Sequence, residues 1–485
     1  MGAQLSRRHF IGAATSLAAA SASGAFAAEA DPKAALLKAE IERLAREEDF
    51  SGAVLFAKGN NVLLQGAWGL AERNFAVPNR ADLRFNLASM GKMFTSLAVM
   101  RLAAAGKLDL DAPLIFAWPD YPNRVVAEAV TPAQLLSHMS GLGNYVEAFM
   151  AYAGPPLLTN DDYLRLFVND PLPQPPGQRF VYSNSGYVLL GCLVEKLTGE
   201  PLFDHLRRTL WAPLGMTATG PARADQSEPG LAYGYSRALD RPGHWQSNLD
   251  PRAPVGSAAG GIYSTVADID RFAAALAAGT LLPPALDRRW TTGAFPYRRG
   301  KYALGISETT INGHRIIGHT GGHPGIATEL MVFTDPGYRL TILTNGEVDG
   351  YFALAAFAKK LLTGGSDDVT RNQDFARSLV KAFAEGGETA ASALLAAKPA
   401  GVVPSYSLLE VLGQRSIHRG QTDLGLGVLR FGIRVSPDDP WARWSLAEAL
   451  RLAGRRDAAL AAYRDYLTKA PDDADAKRWI ERLSR

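Results

Sequence analysis

The sequence predicts an α/β (α+β) protein followed by a small all-α region, and three observations carry the prediction. Strand-like runs lie near residues 51–68 and again within 314–345. Between them stretches a mainly helical and irregular segment rich in proline and glycine. Beyond residue 370 the chain is helical in composition, and its final part repeats with a 34-residue period. At 485 residues, 47% hydrophobic and 20% charged, there is ample length for two or three domains.

Taken in order, Ser6-Arg7-Arg8-His9-Phe10-Ile11 sets paired arginines before an alanine-rich stretch from Gly12 to Ala22. Ala25-Phe26-Ala27 then offers the small residues that a signal peptidase reads. Residues 1–27 are expected to be a twin-arginine-type export signal, cleaved after Ala27 and without a cysteine for a lipid anchor. Pro32–Glu48 is charged and helical in period. Ser51–Ala57 and Asn61–Trp68 read as strands joined around Lys58-Gly59-Asn60. A helix opens at Ser89, continues through Phe94, Leu97, Met100 and Leu102, and ends near Gly106. The irregular region runs from Leu108 to about Leu276. Strands return at His314–Gly318, Gly325–Phe333 and Tyr338–Asn345, with Asp335-Pro336-Gly337 as a turn. A helix over Gly350–Leu362 closes a first domain of residues 31–364.

A second domain, residues 370–485, begins after Gly364-Gly365-Ser366-Asp367-Asp368. Gly420 and Gly454 stand 34 residues apart, as do Pro437 and Pro471. Leu412-Gly413 aligns with Leu446-Ala447, Gly425 with Ala459, and Leu429 with Tyr463. A turn glycine, a small residue for close helix contact and a closing proline resemble the tetratricopeptide repeat. Two repeats are expected over about 406–471, with a capping helix over Ala474–Leu483; Thr370–Ala397 could form a degenerate earlier unit. Such repeats either bind a protein or peptide partner or pack against their neighbour.

The chemistry begins at Ser89-Met90-Gly91-Lys92. A three-residue spacing at a helix start stacks both side chains on one face, within reach of each other. Serine needs a neighbouring base, and a lysine shielded from water can lose its proton near neutral pH. Alone the pattern is weak, but Tyr182-Ser183-Asn184 and His319-Thr320-Gly321-Gly322 follow downstream. This ordered trio resembles the serine acyl-enzyme superfamily of class C β-lactamases, DD-carboxypeptidases, D-peptidases and related esterases. Leu135-Leu136-Ser137-His138-Met139-Ser140-Gly141-Leu142, Pro175-Pro176-Gly177 and Gly260-Gly261-Ile262-Tyr263-Ser264-Thr265 resemble further signatures of that group. The resemblance implies an antiparallel sheet flanked by helices beside an all-helical lobe, with the site in the cleft between them.

It also implies roles. Ser89 would be the nucleophile, with Lys92 and Tyr182 sharing the proton transfers; which of the two is the acylation base stays open. Tyr182 would protonate the leaving group and activate the deacylating water. Asn184 would hold Lys92 and a substrate amide. The backbone N–H groups of Ser89 and Gly322 would form the oxyanion hole, with Gly321 and Gly322 letting substrate approach the strand edge. Thr320 could donate to a substrate carboxylate. His319 departs from β-lactamases, which carry a lysine there; an ordinary histidine is largely neutral at pH 7. That favours peptide or ester substrates over β-lactams. His138 reads as a loop-stabilising core histidine, and His323 is undecided. Arg298-Arg299 could clamp a carboxylate but reads better as a solvated pair.

Other classes fare worse. Neither the G-x-S-x-G pentapeptide of α/β-hydrolases nor the H-E-x-x-H metal motif occurs, so no metal or other cofactor is expected. A net charge of +3 without a basic block argues against nucleic acid. No apolar run of membrane-spanning length follows the leader. The one cysteine, Cys192, sits in an apolar run and reads as a small buried hydrophobe. A catalytically silent binder of peptidoglycan or protein is the rival from another class. Intact Ser89, Lys92, Tyr182 and Asn184 argue against it.

Overall fold

The computed structural model describes residues 31–484 except 224, 239, 298, 299 and 367. The expected export signal and the Arg298-Arg299 pair lie outside the described residues.

Helix α1 (Pro32–Glu47) starts on Asp31, whose carboxylate accepts the Lys33 amide at 2.9 Å, with proline in the first turn. Leu37, Ile41 and Leu44 form its buried stripe. Strands β1 (Gly52–Lys58) and β2 (Asn61–Trp68) form an antiparallel hairpin. A 3₁₀ turn, Ala88–Gly91, runs straight into α2 (Lys92–Ala104). The helix thus begins three residues later than expected, with Ser89 in the tighter turn where side chains at i and i+3 eclipse. Helix α3 (Asn184–Thr198) is capped by Ser183, whose Oγ accepts the Gly186 amide, and ends on Gly199 at φ 73°. A separate hairpin joins β3 (Tyr235–Arg237) to β4 (Trp245–Ser247), and α4 (Val266–Ala277) follows on a Thr265 cap.

The remaining strands are β5 (Phe295–Tyr297), β6 (Gly300–Tyr302), β7 (Ser307–Ile311), β8 (His314–His323), β9 (Ile326–Phe333) and β10 (Tyr338–Thr344). Helix α5 (Val348–Thr363) ends the unit on Gly364 at φ 70°. The sheet is antiparallel, in the order β2-β1-β10-β9-β8-β7-β6-β5. One face packs its Val54, Phe56 and Ile342 side chains with those of α1 and α5. Ala53, Leu55 and Leu343 join a larger core with α2, α3, α4 and the helical lobe. Because both faces are covered, β9 and β10 are buried at every position. Cys192 is buried in the larger core, and burial pushes its thiol up.

Two differences from the sequence reading matter. Strands β5, β6 and β7 widen the sheet; β5 and β6 are three residues each, too short to show a period. Strand β8 also continues five residues past Gly318, through the glycine-rich motif to His323. Pairing with β9 holds that stretch extended, Thr320 opposite Glu329 and Gly322 opposite Ala327. Strand β7 stops sooner, at Ser307 opposite Gly318, so the β8 edge from His319 onward loses its neighbour.

Beyond the sheet unit, α6 (Asp368–Ala396) breaks at Gly386-Gly387, the latter at φ 65°. Four helices then pair off: α7 (Tyr406–His418) with α8 (Thr422–Val435), and α9 (Pro440–Leu452) with α10 (Arg456–Leu467). The turns between partners use Gly420 and Gly454 at φ 79° and 69°. A Cβ on Gly425 would sit 2.5 Å from the Gly413 carbonyl, so α7 and α8 touch backbone to backbone there. Helix α11 (Ala474–Ser484) packs against α10. A buried charge cluster fastens this region to the sheet unit. Arg237 and Arg415 flank Asp349 at 3.2 and 3.0 Å, Arg419 meets Asp49 at 2.8 Å, and Arg377 and Arg415 both reach Glu48.

Candidate active site

Ser89 is presented by a strained turn. Ala88, immediately before it, has φ 46°, a left-handed conformation that alanine seldom adopts. The turn is held from several sides. Asn86 Oδ1 accepts the Ala88 amide at 2.8 Å, and the hydroxyl of Thr328 donates to the Leu87 carbonyl at 2.9 Å. Gly260 lies so close that a Cβ there would stand 2.5 Å from the Ala88 carbonyl oxygen. The turn therefore rests against the Gly260-Gly261 motif on one side and β8–β9 on the other.

Lys92 has no exposed surface. Its Nζ lies 3.1 Å from Ser89 Oγ and 2.8 Å from Asn184 Oδ1, and closely against the Ala259 carbonyl oxygen. Among the described residues no carboxylate pairs with it. Burial pulls the amine down to about 7. Its donors reach the Asn184 and Ala259 carbonyl oxygens and Ser89 Oγ; once the amine has lost a proton, its lone pair can turn to the serine hydroxyl.

The Tyr182 ring centroid lies 5.0 Å from Lys92 Nζ. Behind it, His138 stacks on that ring at 4.2 Å. His138 is buried, and its Nδ1 accepts the Ser183 amide at 3.1 Å. Burial and the nearby Lys92 and His319 hold it well below the usual histidine range. Two segments singled out from sequence meet here. Val181 donates to the His138 carbonyl and Gly177 to the Met139 carbonyl, while a Cβ on Gly141 would strike the Gln174 carbonyl at 2.1 Å. The sequence reading of His138 as structural missed its place against Tyr182.

His319 is buried beside Tyr302. Its Nε2 lies 2.8 Å from the Tyr302 hydroxyl and its Nδ1 2.6 Å from the Thr320 carbonyl oxygen. A carbonyl can only accept, so Nδ1 carries a proton there, and a neutral ring then accepts from the tyrosine at Nε2. Thr320 is half-buried, Gly321 is buried against the Leu87 carbonyl, and Gly322 is exposed with open space where a Cβ would stand. The open cleft, about 440 Å³, touches Ser89, Asn184 and Gly322. Tyr145, Phe149 and Met150 form an apolar wall, and Asn248, Asp250 and exposed His323 a polar one. Of these wall residues the sequence had singled out only His323, as undecided; it revealed neither the others nor Tyr302 and the Ala259 carbonyl. Only the neighbouring Gly260-Gly261 pair hinted at the last.

A serine beside a buried lysine, on a turn between an antiparallel sheet and a helical lobe, defines a serine hydrolase. The chain belongs to the beta-lactamase family, whose profile matches residues 37–363. Penicillin-binding protein 4* of Bacillus subtilis (strain 168) is 28% identical over 351 residues, covering 69% of this chain and 77% of that protein. Esterase EstB of Burkholderia gladioli is 32% identical over 249 residues, covering 48% of this chain and 63% of the esterase, less than two thirds of its length. Among solved structures, the penicillin binding protein from Bacillus halodurans matches with a TM-score of 0.60 at 28% identity, over 65% of this chain and 98% of that one. A D-stereospecific amidohydrolase from Streptomyces sp. matches with 0.52 at 26% identity, over 65% and 96%. Among the described residues no helix is long and apolar enough to cross a membrane.

Proposed function

We propose that this hydrolase cleaves small peptides or esters through an acyl-Ser89 intermediate, in the manner of a D-Ala-D-Ala carboxypeptidase, D-peptidase or esterase. The observation that carries the reading is the Lys92 amine, buried among neutral acceptors and 3.1 Å from Ser89 Oγ. Ser89 Oγ attacks the carbonyl and passes its proton to Nζ. The developing oxyanion faces the amides of Ser89 and Gly322. Tyr182 protonates the leaving group, then helps draw a proton from the water that attacks the acyl-enzyme. Asn184 steadies Lys92 and takes a substrate amide, while Thr320 and Gly321 flank the substrate chain.

His319 bears on substrate choice. Both its ring nitrogens are engaged within the protein, so the motif offers no fixed cation to an antibiotic carboxylate. The apolar wall of Tyr145, Phe149 and Met150 suits a hydrophobic acyl group instead. Export under the twin-arginine-type leader to the periplasm, and two tetratricopeptide-like repeats over about 406–471, complete the proposal. A fluorophosphonate label followed by peptide mapping tests the nucleophile, with modification expected at Ser89. A turnover panel of D-Ala-D-Ala peptides, nitrophenyl esters and a chromogenic cephalosporin tests the substrate class. Fastest turnover of the cephalosporin would instead make this a β-lactamase.

A further inference from the structure

A second cavity, about 470 Å³, lies apart from the cleft, at the seam between the β3–β4 hairpin and the helical region. That volume suits a small ligand or one large side chain. Gln246 on β4 contributes one wall, Glu410 on α7 another, and Trp441, Trp444 and Glu448 on α9 a third. Its charges are unbalanced: Asp240, Glu410 and Glu448 line it against a single arginine, Arg451. That arginine is already committed to Glu448 at 2.6 Å.

Glu410 is the informative residue. It is half-buried, it accepts a hydrogen bond from Ser445 Oγ, and among the described residues no lysine or arginine pairs with it. Burial raises its carboxyl, and Asp439 adds repulsion. His418, on the same wall, is pushed below the usual histidine range by burial and by Arg237, so it offers no counter-charge. The aromatic walls are set in advance. Trp444 is braced edge-on by Tyr463 and Tyr466 at 5.7 and 5.1 Å, while Trp441 leaves 64% of its surface in solvent. An unmatched carboxylate beside indole faces suits a cation on both counts, by charge and by the ring quadrupole.

We propose that the seam cavity binds an organic ammonium or guanidinium group on an apolar stem, its head at Glu410 and its stem against Trp441 and Trp444. The cation can arrive as a free amine or as the basic side chain of a peptide. Calorimetric titration of the full chain with phenethylamine, with its neutral analogue phenethyl alcohol, and with acetyl-Gly-Lys-Gly-amide tests this. The amine should bind saturably, with the alcohol weaker by about tenfold or more, since only the charge differs. Glu410→Gln should erase that difference. Trp441→Ala, at an exposed position that tolerates truncation, should weaken the amine several-fold while leaving melting unchanged. Tighter binding of the lysine peptide than of phenethylamine assigns the site to a peptide, and the reverse to a free amine. Equal affinity for amine and alcohol, or undiminished amine binding by a melting-normal Glu410→Gln variant, would overturn the assignment.

Discussion

Lys92 in the cleft and Asp349 at the seam are both ionisable side chains with no exposed surface, yet their surroundings differ completely. Asp349 is clasped by Arg237 and Arg415 and so serves to join the helical region to the sheet unit. Lys92 meets a serine hydroxyl and two carbonyl oxygens, and among the described residues no carboxylate pairs with it. Desolvation then acts on it unopposed and brings the amine to about 7. Matched with charge, a buried group holds the structure together; matched only with dipoles, it becomes reactive.

The largest effect is expected at the hydroxyl that the amine serves. Ser89→Ala should abolish turnover and leave melting unchanged, and ester hydrolysis surviving in the purified variant would sink the acyl-serine mechanism. Next, Lys92→Ala and Tyr182→Phe should each slow turnover by roughly 10²–10⁴-fold. Their losses should overlap in the double variant, because groups acting as one unit are not additive. Multiplicative losses in a kinetic cycle would mean that they work separately.

At the seam, Asp349→Ala removes the buried carboxylate between Arg237 and Arg415, which keep Asp49 and Glu48 as partners, so the cost should be no more than about 3 kcal/mol in stability. Denaturant unfolding measures it, and kcat/KM per folded molecule should stay near wild type. A large kinetic defect without loss of stability would show that the two sites are not separate.

The lysine also predicts a pH signature. In the unfolded chain its amine holds a proton up to the ordinary 10.5, whereas the native amine releases it near 7. Above pH 7 the unfolded state therefore binds more protons, and raising the pH favours the native state. From pH 7 to 9 the gain is about 2 kcal/mol, absent in Lys92→Met, so the difference between the two unfolding curves isolates it. kcat/KM should rise through the same region. A flat difference curve would mean that the buried amine is not depressed.

The smallest change is expected from His319→Lys, which sets a fixed cation in the glycine-rich motif of β8. Cephalosporin acylation should rise by about tenfold, near the low end for a charge-assisted hydrogen bond, while uncharged esters lose rate. Acylation rates of both substrates in wild type and variant decide it.

Much of this site was legible because its chemistry is local in sequence. Ser89 and Lys92 are three residues apart, Tyr182 and Asn184 two, and His319 to Gly322 contiguous. What escaped was built by approach across the chain. The Ala259 carbonyl has no side-chain signature, and Tyr302 reaches His319 only because β7 brings β6 and β8 into one sheet. The extent of β8 was hidden for a related reason: Gly321-Gly322 carries little strand propensity, and pairing with β9 overrides it. At the seam, Arg237, Arg377, Arg415 and Arg419 look in sequence like ordinary solvated arginines. Their partners lie far off along the chain, at Glu48, Asp49 and Asp349.

The dependence of Lys92 on distant carbonyls also makes the enzyme latent by default. Its environment is assembled from residues 89, 184 and 259, which share no local segment. Until those pieces dock, water reaches the amine, its proton stays on, and Ser89 is no more nucleophilic than any serine. A newly made or partly unfolded chain thus carries an unactivated serine. No inhibitory segment is needed to keep it so, because completion of the fold is itself the switch.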